Sequence, residues 1–168
     1  MLTFQPVQAT ATIPILCNLA REIQIPYFTP IIGEAQINYM LELFLSENAV
    51  KDQIKKGYQY RLVSHNGELC GYFAVFPEDN KLFLSKFYLK EHFRGKGLGK
   101  KMMEEVCRLG QGLSSVYLTV NKQNHGPIAV YHALGFSIID SVETDIGNGY
   151  IMDDYIMEKS LMEPMENL

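Results

Sequence analysis

Apolar positions recur along this chain at two spacings, and the alternation between them marks out helices and strands. From Thr10 to Gln24, the residues Ile13, Leu16, Leu19, Ala20 and Ile23 fall every three or four positions, which predicts a helix with one apolar face. Pro26, Pro30 and Gly33 follow, so residues 26–33 are expected to form a loop. A second helix is expected from about Glu34 to Asn48, with Ile37, Met40, Leu41, Phe44 and Leu45 on one face, then a short helical turn over 49–56. Residues 2–8 predict a short first strand. Strand patterns cover 58–64, 69–76 and 82–89, with Asn66-Gly67 as a hairpin signal and Pro77-Glu78-Asp79-Asn80 as a second turn. Residues 98–110 predict an amphipathic helix with Leu98, Met102, Met103, Val106 and Leu109 inward. A strand over 116–120, a short helix over 125–134 stopped by Gly135, and strands over 136–142 and 150–157 around Gly147-Asn148-Gly149 complete the chain. Two helices, an antiparallel meander, then helix, strand, helix and hairpin predict an α+β fold with helices packed on one mixed sheet. With no repeat and no Pro-, Gly- or Ser-rich linker, residues 1–168 read as a single domain.

Composition narrows the function classes. The 168 residues are 47% hydrophobic and 20% charged, ordinary values for a folded domain. No apolar run approaches the roughly 18 residues of a membrane span, so no membrane role is expected. The start, Met1-Leu2-Thr3-Phe4-Gln5-Pro6, lacks the basic and apolar segments of a signal peptide. Cys17, Cys70 and Cys107 are odd in number and widely spaced, as expected of reduced thiols in the cytoplasm. A net charge of −4 argues against a general nucleic-acid binder. Its distribution is uneven. Lys81, Lys86, Lys90, Arg94, Lys96, Lys100 and Lys101 face Glu91 alone, net +6 over 81–101; Asp140, Glu143, Asp145, Asp153, Asp154, Glu158, Glu163 and Glu166 face Lys159 alone, net −7 over 140–168.

The basic segment surrounds a glycine-rich turn. In Phe87-Tyr88-Leu89-Lys90-Glu91-His92-Phe93-Arg94-Gly95-Lys96-Gly97-Leu98-Gly99, a strand ends and an amphipathic helix begins. The first turn of a helix carries unsatisfied N–H groups and about half a positive charge. Glycines let backbone approach an anion closely, and Arg94, Lys96, Lys100 and Lys101 add charge, so the turn is a phosphate or diphosphate cradle on physical grounds. It is not a P-loop: a glycine would be needed at position 94, which is Arg, and Ser or Thr at 101, which is Lys. A dinucleotide fingerprint from Gly95 would need glycine at 100, which is Lys.

The pattern that fits is Arg-x-x-Gly-x-Gly, supplied by Arg94, Gly97 and Gly99. It resembles the acetyl-coenzyme A motif of the GNAT family of N-acetyltransferases. Val120-Asn121, Asn124, Tyr131 and Leu134-Gly135-Phe136 resemble that family's following strand–helix–strand segment, and the likeness spans about residues 70–157. Pro127 departs from the small helix former common there, but a first helical turn tolerates proline. The resemblance implies a mostly antiparallel central sheet with helices on both faces, acetyl-coenzyme A as donor, and by family habit a homodimer. It implies that the diphosphate sits on the backbone of Gly95, Lys96, Gly97, Leu98, Gly99 and Lys100. The pantetheine arm would pair with the main chain of Phe87, Tyr88 and Leu89, Asn124 would contact the cofactor, and Tyr131 would lie near its sulfur.

Direct transfer from a thioester to an amine poses three problems. A lysine-like amine of pKa ~10.4 is deprotonated in only about one molecule in 2,500 at pH 7, a cost of about 4.6 kcal/mol. The oxyanion needs donors, for which a backbone N–H near Leu89 would serve. The leaving thiolate needs a hydrogen bond or proton, the role assigned to Tyr131. Tyrosine (pKa ~10) transferring a proton fully to a thiolate (~8.5) is uphill by about 2 kcal/mol, so a donated hydrogen bond is the expected form. Tyr131 as a plain core tyrosine is the structural alternative. The sequence names no base: the family often places a glutamate on the strand leading into the turn, and this one reads Leu84-Ser85-Lys86-Phe87. A water chain or a carboxylate of the C-terminal hairpin are the options. Asp153 and Asp154 are adjacent on a strand, so at most one faces a given pocket. A carboxylate that attracts an ammonium group also raises its pKa, which works against deprotonation.

Tyr27, Phe28 and Glu34 are candidate acceptor contacts, with simple anchoring of their segment as the alternative. His65, His92, His125 and His132 lack metal-ligand spacing, and Cys107 lacks an activating neighbour in sequence, so no metal and no cysteine nucleophile are expected. The acidic C-terminal third favours a small cationic acceptor such as a polyamine. A protein N-terminal or lysine acetyltransferase is an alternative within the enzyme class. An acyl-coenzyme A sensor without catalysis is the alternative of another class.

Overall fold

The computed structural model describes residues 1–8 and 10–162; Glu163 and Glu166 of the acidic segment lie outside the described residues. In chain order the elements are β1 (Leu2–Pro6), α1 (Thr12–Ile32), α2 (Glu34–Leu45), α3 (Glu47–Lys56), β2 (Gln59–His65), β3 (Glu68–Glu78) and β4 (Lys81–Leu89). After a 3-10 turn (Glu91–Phe93) come α4 (Leu98–Leu109), β5 (Ser115–Asn121), α5 (His125–Ala133), β6 (Ser137–Gly147) and β7 (Tyr150–Ser160). The strands form one seven-stranded sheet in the order β1-β2-β3-β4-β5-β7-β6. β4 and β5 run parallel, in register from Lys81 opposite Ser115 to Phe83 opposite Tyr117, whereas β1–β2, β2–β3, β5–β7 and β6–β7 are antiparallel. This is the expected mixed α+β architecture.

The chain groups into two compact units. One is Met1–Phe76 with Lys86–Lys101; the other is Pro77–Ser85 with the chain from Met102 onward. In the first, all five inward positions read from the periodicity of α1 are buried, and with Ile37, Leu41 and Leu45 of α2 they pack on Tyr60, Leu62, Tyr72 and Ala74. Two buried tyrosines satisfy their hydroxyls within this core. Tyr60 donates to Gln53 and Tyr72 to Gln24, so Gln24, 6% exposed, is not a stranded polar group. Ser46 caps α3 by accepting from the Ala49 N–H at 3.2 Å, and Gly57 ends it at φ 113°.

One expected loop is helix instead. α1 continues through Pro26 and Pro30 to Ile32. An interior proline removes one backbone bond and costs about 3 kcal/mol. Here Ile25, Tyr27, Ile31 and Ile32 pack against the core and Phe28 lies inside it, and burial of each large apolar side chain contributes about 1.5–3 kcal/mol. Thr29 Oγ1 also donates to the Ile25 carbonyl at 2.5 Å. The break comes at Gly33 (φ 88°), whose N–H bonds Thr29 O and whose carbonyl starts α2.

In the second unit, Met102, Met103 and Val106 of α4 are buried as expected, while Leu109 is half-buried. β7 returns between β5 and β6 and so is covered along both edges. β6 by contrast contains no buried residue along its 11 positions. Among the described residues, no helix is long and apolar enough to cross a membrane, and no group of three or more His, Cys, Asp or Glu is placed to hold a metal ion.

Candidate active site

The glycine-rich turn is built from two anchors with an exposed arch between them. Phe93 and Leu98 are each 4% exposed, whereas Arg94, Gly95, Lys96 and Gly97 face solvent. Gly95 and Gly97 adopt φ 75° and 78°, the left-handed region where a side chain is strained. A Cβ at Gly95, Gly97 or Gly99 would meet no atom within 4 Å, so nothing in the chain fills the concave side of the arch. The first helical bond of α4 is donated by Lys101 N–H to Gly97 O at 3.4 Å, so the amides of Leu98, Gly99 and Lys100 precede the hydrogen-bonded ladder. Alternating left-handed glycines, early helix amides and the exposed ammonium groups of Lys96, Lys100 and Lys101 make a site suited to a diphosphate.

Arg94 has a different task from its neighbours. Its Nε and one terminal nitrogen donate to the Leu89 carbonyl at 3.1 and 3.0 Å, and its guanidinium lies 5.5 Å from the Tyr27 ring centroid. The side chain therefore ties the start of the arch to the last residue of β4 and to α1. Next to it Lys90 donates its N–H to Cys70 O at 2.8 Å and pairs with Glu22 at 3.5 Å. Ile23, Pro26, Tyr27, Lys90, His92 and Arg94 border an open groove of about 520 Å³.

On β4, Tyr88 packs on Tyr72 (5.4 Å between centroids) and Phe28 (6.4 Å), while Phe87 and Leu89 are half-buried. Phe28 is thus a core residue, Tyr27 lies half-buried against it at 4.9 Å, and Glu34 is exposed at the start of α2. A Cβ at Gly71 of β3 would collide with the Tyr88 carbonyl oxygen, so only glycine admits this close approach to β4. Lys86, in the stretch where the family often has a glutamate, is a half-buried cation 5.9 Å from the Phe44 ring, and burial lowers its pKa to about 8. The thiols of Cys17, Cys70 and Cys107 are all raised by burial, the reverse of activation.

The second unit holds the remaining sequence-derived residues. Asn124, 6% exposed, stands immediately before α5; its N–H bonds Asn121 O at 2.9 Å and its carbonyl accepts from Ile128 at 3.1 Å. Tyr131, half-buried on α5, makes an edge contact with Phe136 at 5.7 Å, and its carbonyl accepts from the Phe136 N–H. The adjacent aspartates diverge as strand alternation requires. Asp153 is half-buried and pairs with Lys122 at 2.9 Å, while Asp154 is 5% exposed. Burial, then the charge of Asp153, raises the Asp154 carboxyl from 3.8 to about 6, with Lys122 opposing. Which aspartate turns inward was not legible, because the sequence does not show that β7 lies between two strands.

The model of the acetyltransferase (GNAT) family matches residues 19–136. A spermine/spermidine N(1)-acetyltransferase from Bacillus subtilis is 29% identical over 119 residues, covering 58% of this chain and 78% of its own. Among solved structures, the PaiA N-acetyltransferase from Thermoplasma acidophilum, crystallised with coenzyme A, superposes with a TM-score of 0.79 at 22% identity, covering 95% of this chain and 99% of that one. A ribosomal-protein alanine N-acetyltransferase from Escherichia coli gives 0.72 at 18% identity, covering 100% and 99%. The two structures share the fold, and the family match covers well over half of the sequence. The chain belongs to the acetyltransferase (GNAT) family and is an N-acetyltransferase.

Proposed function

We propose that this enzyme transfers an acetyl group from acetyl-coenzyme A to a primary amine of a small cationic acceptor, of the polyamine class. The observation that carries the donor half is the arch at 94–99, whose two left-handed glycines leave open space beside the first amides of α4. The amides of Gly95 to Lys100 hold the diphosphate, with Lys96 and Lys100 as counter-charges, and Arg94 keeps the arch in shape through Leu89 and Tyr27. Main-chain groups of Phe87 to Leu89 receive the pantetheine arm in the manner of an added strand. Asn124 adds a cofactor contact, and the Tyr131 hydroxyl donates a hydrogen bond to the sulfur as the thioester opens.

The acceptor half rests on charge and kinship. Asp140, Glu143 and Asp145 of β6 are exposed, a surface that favours polycations over anionic acceptors. The Bacillus subtilis relative carries spermine and spermidine in its name. Three free cysteines support a cytoplasmic setting for the reaction. Calorimetry with coenzyme A on wild type and Gly97→Val tests the donor half. Micromolar or tighter binding that is lost in the variant is expected; equal binding by both would place the diphosphate elsewhere.

A further inference from the structure

We propose that Arg94 is a positioning residue that sets the register in which the donor's pantetheine arm lies along β4, an inference that rests on the strand-like seat proposed for that arm. Main-chain geometry supplies the first step. Lys90 donates its N–H to Cys70 O on β3 at 2.8 Å, and the Tyr88 carbonyl closes on Gly71 of the same strand. The N–H and C=O of one strand residue point to the same side, and successive residues alternate. Leu89, and Phe87 before it, therefore turn their main-chain groups away from β3, toward the edge where an added strand pairs.

Arg94 withdraws one of those groups. Its Nε and one terminal nitrogen donate to the Leu89 carbonyl at 3.1 and 3.0 Å, one N–H for each lone pair. The clamp is fixed at both ends. The Arg94 N–H is held by the Glu91 carbonyl at 3.1 Å, where the 3-10 turn closes. The guanidinium lies 5.5 Å from the Tyr27 ring centroid, and Tyr27 rests at 4.9 Å on Phe28 of the core. Phe28 packs in turn on Tyr88 at 6.4 Å, so the fork and the strand it clamps share one aromatic support. An incoming arm carries two amides in series. Opposite Leu89 it meets an N–H but a carbonyl already taken, so an amide docks there through its own carbonyl. A slip that brings an amide N–H onto the Leu89 carbonyl is blocked. One residue of slip displaces the thioester by about 3.3 Å, and misplacement by even about 1 Å costs roughly 10²-fold in rate.

This role needs the fork and not the charge, which separates it from a phosphate counter-charge. Glutamine carries its amide nitrogen at the chain position where arginine has Nε, so Arg94→Gln keeps one N–H for the Leu89 carbonyl and drops the charge. Arg94→Lys keeps the charge and puts a methylene at that position. The test is binding of coenzyme A, and of pantetheine, which has the arm and no phosphate, by calorimetry for wild type and both variants. Acetyl-coenzyme A kcat is measured in parallel. Arg94→Lys is expected to weaken both ligands about 10-fold or more and to lower kcat, whereas Arg94→Gln is expected to stay within about threefold of wild type for pantetheine. Arg94→Lys behaving as wild type while Arg94→Gln loses coenzyme A, the pattern of a counter-charge, overturns the inference. A crystal structure of wild type with coenzyme A needs no variant: the Leu89 carbonyl is expected to stay with Arg94, and a ligand N–H on that carbonyl overturns the assignment. Failure of wild type to bind coenzyme A overturns the arm's proposed seat and this inference together. Coenzyme A binding by wild type, with pantetheine either unbound or indifferent to both substitutions, overturns this inference alone.

Discussion

A buried carboxylate weakens the fold that holds it, and the size of that effect follows from its surroundings. Asp154 is 5% exposed and titrates at about 6 when folded against 3.8 as an ordinary carboxyl. Between those values the folded chain keeps a proton that the unfolded chain has released. The carboxyl therefore favours the folded state below 3.8, and that advantage is lost as pH rises through about 6. At about 1.4 kcal/mol per pH unit, the loss amounts to about 3 kcal/mol at neutral pH. Asp154→Asn removes the charge while keeping the shape, so the variant should gain stability over wild type as pH rises from 4 to 7. In a protein of this size about 3 kcal/mol corresponds to roughly 6–12 °C in Tm. Urea and thermal unfolding of both proteins at pH 4, 5, 6, 7 and 8 measure it, and groups other than Asp154 cancel in the difference. A stability difference that stays flat with pH, or that turns against the variant as pH rises, would show instead that the carboxylate is solvated or paired.

Two further substitutions probe separate parts of the site. Tyr131→Phe should lower kcat by 10-fold or more with little change in coenzyme A affinity, read by steady-state kinetics and calorimetry, since the hydroxyl is assigned only to the leaving sulfur. Gly97→Ala should cost about 1 kcal/mol of stability, because φ is 78° there, and should weaken coenzyme A binding at least several-fold, because its methyl occupies the open side of the arch.

The parts of this protein written in local chemistry were readable from its sequence. The glycines at 95 and 97 mark left-handed backbone, and Asn66-Gly67 turns a hairpin with both residues at positive φ, as that dipeptide demands. The second hairpin turns on Asp79 and Asn80, both also at positive φ, with Pro77 inside β3 rather than in the turn. What failed to show was set by tertiary packing. Pro26 and Pro30 signal a loop, yet burial of Phe28 and its neighbours carries α1 across them. Arg94 reads as one more cation for a phosphate, yet its guanidinium is engaged by the Leu89 carbonyl and the Tyr27 ring. The burial of Asp154 was hidden for the same reason: Asp153 and Asp154 differ only in which face of β7 each occupies, and the placement of β7 between β5 and β6 decides what that face meets.

We propose that this chain moves acetyl groups from a coenzyme A thioester to small polycationic amines. Free thiol followed as acetyl-coenzyme A is mixed with the purified enzyme and spermidine, spermine, amino acids, aminoglycosides or short peptides, with the acetylated product identified by mass spectrometry, reports this transfer. Saturable, amine-dependent thiol release with spermidine or spermine and formation of the matching N-acetyl product are expected. Tight coenzyme A binding without thiol release for any amine, or release with peptides alone, would contradict it.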